Sequence, residues 1–540
     1  MGAAVERIRS LSALPWERGQ TPSAAVRGLT PVRGPGVRAR RPGAGLPCVL
    51  ALLCILAAAV PARAQSADLA ARSRDGSRAM QEGRFDDAAR IYRELLRALP
   101  NQPGLLMNLG MALAMGGHES DAIEPLERAL TLKPDLMPAR LFLGSSYLAI
   151  GKPDKALSPL KRVVAAAPTD VDNRRMLAQA YAETGRPAEA AAELRKVTEI
   201  APKLPGGWFA LGHVYNAIAQ DAISAFETQP EGSPWRQLLV ADALLADGRF
   251  TDAFATYRTV LAQLPAMVSI HDSVATVYEK TGHADWALRE RTSGRLSAAA
   301  CAKRTALCDF RAGRYRSVLT AASARSDPES QYWRARAATE LALAAFKQLD
   351  TLPDSRERRE VRAVRARAER RFTDAVTEIK AALAFAPGDP QLLDDLGTAY
   401  YAAREYEQAV ATLAPLLKAN PDDARLLAVY GDSLLQLQRT DEALPYLQRA
   451  VERQPADHMA RLTLGRAYVQ KGDFSSAIPL IEAELPSDQD GSLHVQLARA
   501  YTGAGQKDKA AALLAKSQEL QRAAQERDAA LTQRVITPPK

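Results

Sequence analysis

The stretch Pro103–Leu136, PGLLMNLGMALAMGGHESDAIEPLERALTLKPDL, decides the fold. Leu106, Leu109, Gly110 and Leu113 fall at i, i+3, i+4 and i+7, which is one face of a helix. Gly116-Gly117 interrupts that helix, because Gly costs about 1 kcal/mol relative to Ala inside one. Ser120 or Asp121 is placed to cap a second helix, whose apolar face is Ala122, Leu126, Ala129 and Leu130. Pro134 has no N–H and cannot continue it, so the chain turns there. The stretch reads as two short amphipathic helices joined by a Gly turn.

The same pattern returns downstream. Gly110, Ala122, Ala129 and Pro134 become Gly144, Ala156, Val163 and Pro168, then Ala178, Ala190, Val197 and Pro202. The spacing is 34 residues, so every position can be given an offset from 1 to 34 within its unit. A small residue at offset 8 lets the first helix approach the second near offset 20. In this register units occupy 69–204 regularly. The section 205–355 is irregular: the turn glycine is missing after Trp208, Leu211, Gly212 and Tyr215, and Ser330–Ser355 repeats that odd form. Residues 301–327 are degenerate. Regularity resumes over 356–525, with Ala375, Ala409 and Ala443 at offset 20, and 526–540 ends a long polar-faced helix and adds a tail.

A 34-residue period with these small residues resembles the tetratricopeptide-repeat (TPR) superfamily. The resemblance covers roughly 69–525. It implies an all-α, right-handed TPR solenoid with a degenerate middle section, in which each unit buries its apolar faces against its neighbours. The chain also resembles a group of large exported bacterial TPR proteins without assigned activity. That match rests on Asp490-Gly491-Ser492-Leu493-His494, on Leu497-Ala498-Arg499-Ala500-Tyr501, and on the Tyr332-Trp333 unit. In TPR proteins partners lie along a concave surface lined by first-helix offsets 2, 5, 9, 12 and 13. A Lys and Asn at offsets 5 and 9 would grip a C-terminal carboxylate. Here Met107/Met111, Leu141/Ser145 and Arg175/Gln179 stand there, which disfavours that clamp.

The amino-terminal 1–64 reads as a leader with a signal peptide. An apolar run, Val49–Val60, follows Arg38, Arg40 and Arg41 and ends in Pro61-Ala62-Arg63-Ala64, a small-x-small pattern that points to cleavage before Gln65. A spanning helix needs about 20 apolar residues, so membrane contact is expected only if the leader stays uncleaved. The expected location is therefore exported, in the periplasm or secreted. Cys48 and Cys54 lie in the leader, leaving Cys301 and Cys308. Export permits a disulfide between them. On one helix seven residues would separate their Cα atoms by about 10.5 Å, too far to bridge. Either Cys301 lies off the helix end or both are free thiols.

The net charge of +9 suggests nucleic acid until it is partitioned. Nine Arg and two Glu fall within 1–64, and the remaining 62 basic and 60 acidic residues nearly cancel. Global charge therefore carries no case for nucleic acid. Gly144–Pro153 lacks the phosphate-loop spacing. His118-Glu119 lacks a second His four residues on, and no nucleophile elbow occurs after residue 64. No cofactor, metal or catalytic residue is expected, and His494 at offset 4 reads as structural. The tryptophans Trp208, Trp235, Trp286 and Trp333 read as packing in the irregular section.

One helix is crowded with Arg: residues 356, 358, 359, 362, 365, 367, 370 and 371. Val361, Val364 and Ala368 form its expected apolar stripe, and Arg358, Arg362 and Arg365 share another face. A solvated face with i,i+4 ion pairs is the bland reading. In the offset frame, Arg367, Arg425, Arg466 and Arg499 fall at 12, 2, 9 and 9 of their units, with Tyr401 beside them. Guanidinium forks there suit carboxylate or phosphate, although Glu360 and Asp432 face the same groove. The expected function is a non-enzymatic scaffold that binds protein or peptide segments, in envelope assembly or secretion. The alternative is a subunit that binds an anionic polymer, an acidic polysaccharide or acidic peptide, through that Arg-lined groove.

Overall fold

A computed structural model describes residues 56–540 except 266, 297, 298, 300, 302–304, 533, 534 and 540. The signal-peptide reading therefore lies outside the described residues up to 55. From Leu56 a helix runs to Gln81, and the expected cleavage before Gln65 falls within it. Two compact units divide the described residues, one up to 214 and one from 215 onward.

The first unit is a stack of helical hairpins, and Pro103–Leu136 shows how each forms. Helix A spans Pro103–Met115 and buries Leu106, Leu109, Gly110 and Leu113. Helix B spans Glu119–Leu132 and buries Ala122, Leu126 and Ala129, while Leu130 is only half-buried. At Gly110 a Cβ would stand 2.4 Å from Leu126 Cγ, so the two helices meet at a distance that only Gly allows. The capping expectation needs correction. Helix B begins one residue before Ser120, its cap position is His118, and no side chain caps it. His118 instead reaches back to the previous hairpin, with Nε2 2.9 Å from Asp86 Oδ1.

The second unit begins inside Pro205–Ser224, a single helix that replaces a hairpin. Hairpins follow at Pro234–Ala246/Phe250–Gln263 and Ser269–Lys280/Ala284–Ser293. The stretch read as degenerate holds a stunted hairpin, Thr305–Arg311/Tyr315–Ser323. Cys301 is bonded to Cys308 with Cα atoms 5.7 Å apart, so the two do not share one straight helix. Next comes a second fused helix, Pro328–Thr351. These elements share one apolar core from Ala222 to Ala337, in which Tyr257, Tyr278, Tyr332 and Trp333 are buried and Trp235 and Trp286 pack at its edge.

This section also closes on itself. Tyr257 OH donates to Asp242 Oδ1 at 2.7 Å, and Tyr332 OH to Asp242 Oδ2 at 3.0 Å. Arg336 Nη1 donates to the same Oδ2 at 2.7 Å, and Arg334 pairs with Asp221 at 2.7 Å. The fused helix 328–351 is thereby pinned to elements 90 or more residues earlier, whereas the contacts of a solenoid run from neighbour to neighbour.

Regular hairpins return from Arg356–Ala368/Phe372–Phe385 to Ser492–Gly503/Lys507–Thr532. In Arg356–Ala368 the buried stripe is Ala363 and Ala366, and the expected Val361, Val364 and Ala368 are only half-buried.

Candidate binding surface

Aspartate caps set the register of the first helices along the regular C-terminal hairpins. Asp389 accepts from the amides of Gln391 and Leu392, Asp423 from Leu426, and Asp457 from Met459 and Ala460. Each cap satisfies amides that the first helical turn leaves open. Equal starts bring offsets 2, 5, 9 and 12 of successive first helices alongside one another.

On that face the sequence-predicted residues meet acids. Arg367 Nη1 donates to Asp395 Oδ1 at 2.9 Å. Arg425 pairs with Asp394, and its Nη1 lies 3.4 Å from Thr398 Oγ1. Tyr401 OH donates to Asp432 Oδ2 at 2.6 Å. Arg466 Nη2 approaches the same oxygen at 3.4 Å and donates to Thr463 Oγ1 at 2.9 Å. Gln436 Nε2 donates to Asp432 Oδ1 at 3.0 Å, so both oxygens of Asp432 are engaged. Burial, reinforced by Asp432, raises the Tyr401 phenol above its ordinary range, and it stays protonated as a donor. Arg499 is exposed and has no ion-pair partner among the described residues. The face is thus a ladder of paired Arg, Tyr and Asp side chains, in which Asp394 Oδ1 alone is buried without a hydrogen-bond partner among the described residues, ending in one exposed cation. It is not a lane of open guanidinium groups.

The acids were legible in the same frame: Asp394 and Asp395 stand at offsets 5 and 6, directly beside the Arg offsets. A further acid opens the ladder. Arg356 binds Glu360 at 2.5 Å and Asp389 at 3.0 Å. Burial pushes the Glu360 carboxyl up to about 7 against the pull of Arg356, with Asp395 and Glu357 adding to the rise.

The Arg-rich helix is largely engaged as well. Arg358, Arg362 and Arg365 converge on one carboxylate, Asp350, at 3.7, 3.3 and 3.3 Å. Arg358 Nη1 also donates to the Leu352 carbonyl at 2.8 Å, closing the end of the fused helix. Arg359 pairs with Asp354 and Glu378. Three cations about one Asp leave positive charge in excess there.

The irregular section holds a cavity of about 610 Å³ lined by Trp235, Leu264, Met267, Leu307, Ala322 and Trp333. Part of its polar rim is engaged in capping, while the Ser269 hydroxyl on it is buried without a hydrogen-bond partner among the described residues. Asp327 accepts from the Ser330 amide at 3.0 Å and hydroxyl at 2.8 Å, and pairs with Arg325 at 2.9 Å. His494 is likewise structural in geometry, for its Nδ1 lies 2.6 Å from buried Asp488, which also accepts from the Gly491 amide at 2.9 Å. No cluster of three metal-ligating side chains occurs among the described residues. No helix among them is long and apolar enough to cross a membrane.

Comparison with known proteins bears on this architecture. Tetratricopeptide-repeat models match residues 74–136, 147–206, 395–458, 430–492 and 462–529, on either side of the irregular section. No curated protein matches the chain. Among solved structures, MamA of AMB-1 is 26% identical, with 31% of this chain and 98% of that one covered and a TM-score of 0.28. MamA from Desulfovibrio magneticus RS-1 is 27% identical over 27% and 82%, with a TM-score of 0.26. YrrB, described as a TPR protein with an unusual peptide-binding site, is 22% identical over 33% and 92%, with a TM-score of 0.28. With the 34-residue register, the hairpins that realise it and repeat models matched in both halves, this chain belongs to the tetratricopeptide-repeat superfamily.

Proposed function

We propose that the protein is an exported, non-enzymatic TPR scaffold that holds a protein segment along the first-helix face of its C-terminal hairpins, in envelope assembly or secretion. The observation that carries this reading is the pairing of Arg367, Arg425 and Arg466 with Asp395, Asp394 and Asp432. A polyanion would have to displace those carboxylates and leave them uncompensated, which is costly at partly buried positions. A peptide carrying both signs of charge and alternating backbone donors and acceptors can share the ladder without breaking it. Export follows from the leader pattern in 1–64.

A second reading keeps the anionic polymer. It draws on exposed Arg499 and on the three Arg around Asp350. Photo-crosslinkers at Tyr401 and Arg499, used in the native envelope, test both. The scaffold reading expects a discrete protein partner whose recovery falls at least fivefold with Tyr401→Phe and Arg466→Ala together. Equal recovery from that double variant overturns it. A salt series separates the readings, since polyanion binding that releases several counterions weakens by orders of magnitude between 50 and 200 mM salt, and peptide binding does not.

A further inference from the structure

In five hairpins the aromatic at first-helix offset 11 is met by the residue at offset 25 of the preceding unit, and Tyr278 departs from that pattern. Tyr147 OH donates to Glu127 and Tyr501 OH to Glu482, each acid standing at offset 25 of the preceding unit. Tyr468 OH is met by Gln448 Nε2 at 2.8 Å from the same offset. Where offset 25 is Lys, the amine lies over the ring, as Lys161 over Tyr181 at 5.4 Å and Lys380 over Tyr400 at 5.4 Å. Tyr278 has Arg258 at that offset, a donor-only group that offers its phenol no acceptor. A buried phenol needs one, and Tyr278 is fully buried.

The acceptor comes from the far end of the chain. Tyr278 OH donates to the Thr537 carbonyl at 2.7 Å, across 259 residues. Ile536 packs against the core that contains Tyr278, while Val535 remains 72% exposed. Residues 535–539 form no helix or strand. Pro538 and Pro539 fix φ near −65° and bias Thr537 to an extended conformation, so little chain entropy is lost when the segment docks. Around the phenol, Phe254 and Trp286 lie 5.6 and 5.7 Å from its ring and form the apolar wall.

We propose that the surface at Tyr278 is a recognition site for an extended peptide, occupied in cis by the chain's own Val535–Pro539. The ligand it takes carries a branched aliphatic residue for the apolar wall, then a residue held extended by a following Pro, whose carbonyl accepts from Tyr278. The visible contacts are few, so the tail is held by tethering. A tethered segment acts at an effective concentration of about a millimolar and shuts out a free peptide of similar sequence until that peptide binds more tightly or the tail is drawn away. This site is separate from the first-helix face of the C-terminal hairpins, and its fate is independent of the function proposed above.

A synthetic peptide of residues 531–540, the full-length chain and a chain ending at Thr532 provide the test, read by amide hydrogen exchange over 268–286. Truncation is expected to speed exchange there severalfold. The peptide at millimolar concentration should restore slow exchange in the truncated chain and leave the full-length chain unchanged. Tyr278→Phe in the full-length chain should lose about three- to tenfold of the protection, the effect of one net hydrogen bond. Equal exchange with and without the tail overturns the proposal, as does equal protection of both chains by the peptide.

Discussion

At the scale of the residue, the turn between the two helices of each hairpin is where backbone strain concentrates. Gly83, Gly117, Gly151, Gly185, Gly248 and Gly472 take positive φ at that turn. Arg370, Arg404 and Gln438 occupy the same offset with φ of 58°, 63° and 63°. An L residue in that region crowds its Cβ against the following carbonyl, at a cost of about 1–2 kcal/mol. Arg404→Gly should therefore raise stability by about 0.5–1 kcal/mol, since Gly regains flexibility when unfolded and offsets part of the relief. The urea midpoint measures it, and an unchanged or lower midpoint refutes the strain. The opposite holds at offset 8. A Cβ at Gly397 would meet Leu413 Cδ2 at 2.4 Å, so the small residue there belongs to the fold itself.

At the scale of the element, the Arg-rich helix shows how a charge run becomes architecture. Read alone, Arg356–Ala368 is a solvated face; in place, its Arg side chains terminate one helix and bind five acids of the neighbouring turns and helices, Asp350, Asp354, Glu378, Asp389 and Asp395. Its Glu360 carries a pH signature. The folded pKa is raised, chiefly by burial, from 4.5 to about 7. A raised acid pKa means that the folded chain binds more protons than the unfolded chain between those values. Stability should thus be highest below about pH 4.5 as regards this group and decline as pH rises toward 7. Glu360→Gln, which mimics the protonated acid, should flatten that part of the profile when denaturation midpoints are compared at pH 5 and 7.5. An identical slope in the variant excludes the assignment.

At the scale of the whole chain, the two fused helices change how units cooperate. In a plain solenoid, stability adds up from neighbouring interfaces. Asp242, bound by Tyr257, Tyr332 and Arg336, links the start of the irregular section to its end. Asp242→Asn leaves the Arg336 charge without its counterion and should destabilise the 234–351 section by about 3–5 kcal/mol. Hydrogen exchange should then show 234–263 and 328–351 opening together, while 424–453 keeps its protection. Loosening confined to 234–263 would mean that the link couples nothing.

The sequence by itself determined the repeat: its period, the helix-turn-helix unit, the small residue at each close approach and the places where the pattern fails. All of these depend on contacts at i, i+3 and i+4 or between adjacent units, and such contacts recur at fixed offsets along the chain. It located Arg367, Tyr401, Arg425, Arg466 and Arg499, but their state was decided by the tertiary structure, which set Asp395, Asp394 and Asp432 against the first four and left Arg499 exposed. Only that structure could bring Asp242 to Arg336, or Thr537 to Tyr278. Such partners lie 90 to 260 residues apart, where no repeat offset relates them, and they meet only because the intervening hairpins have already packed.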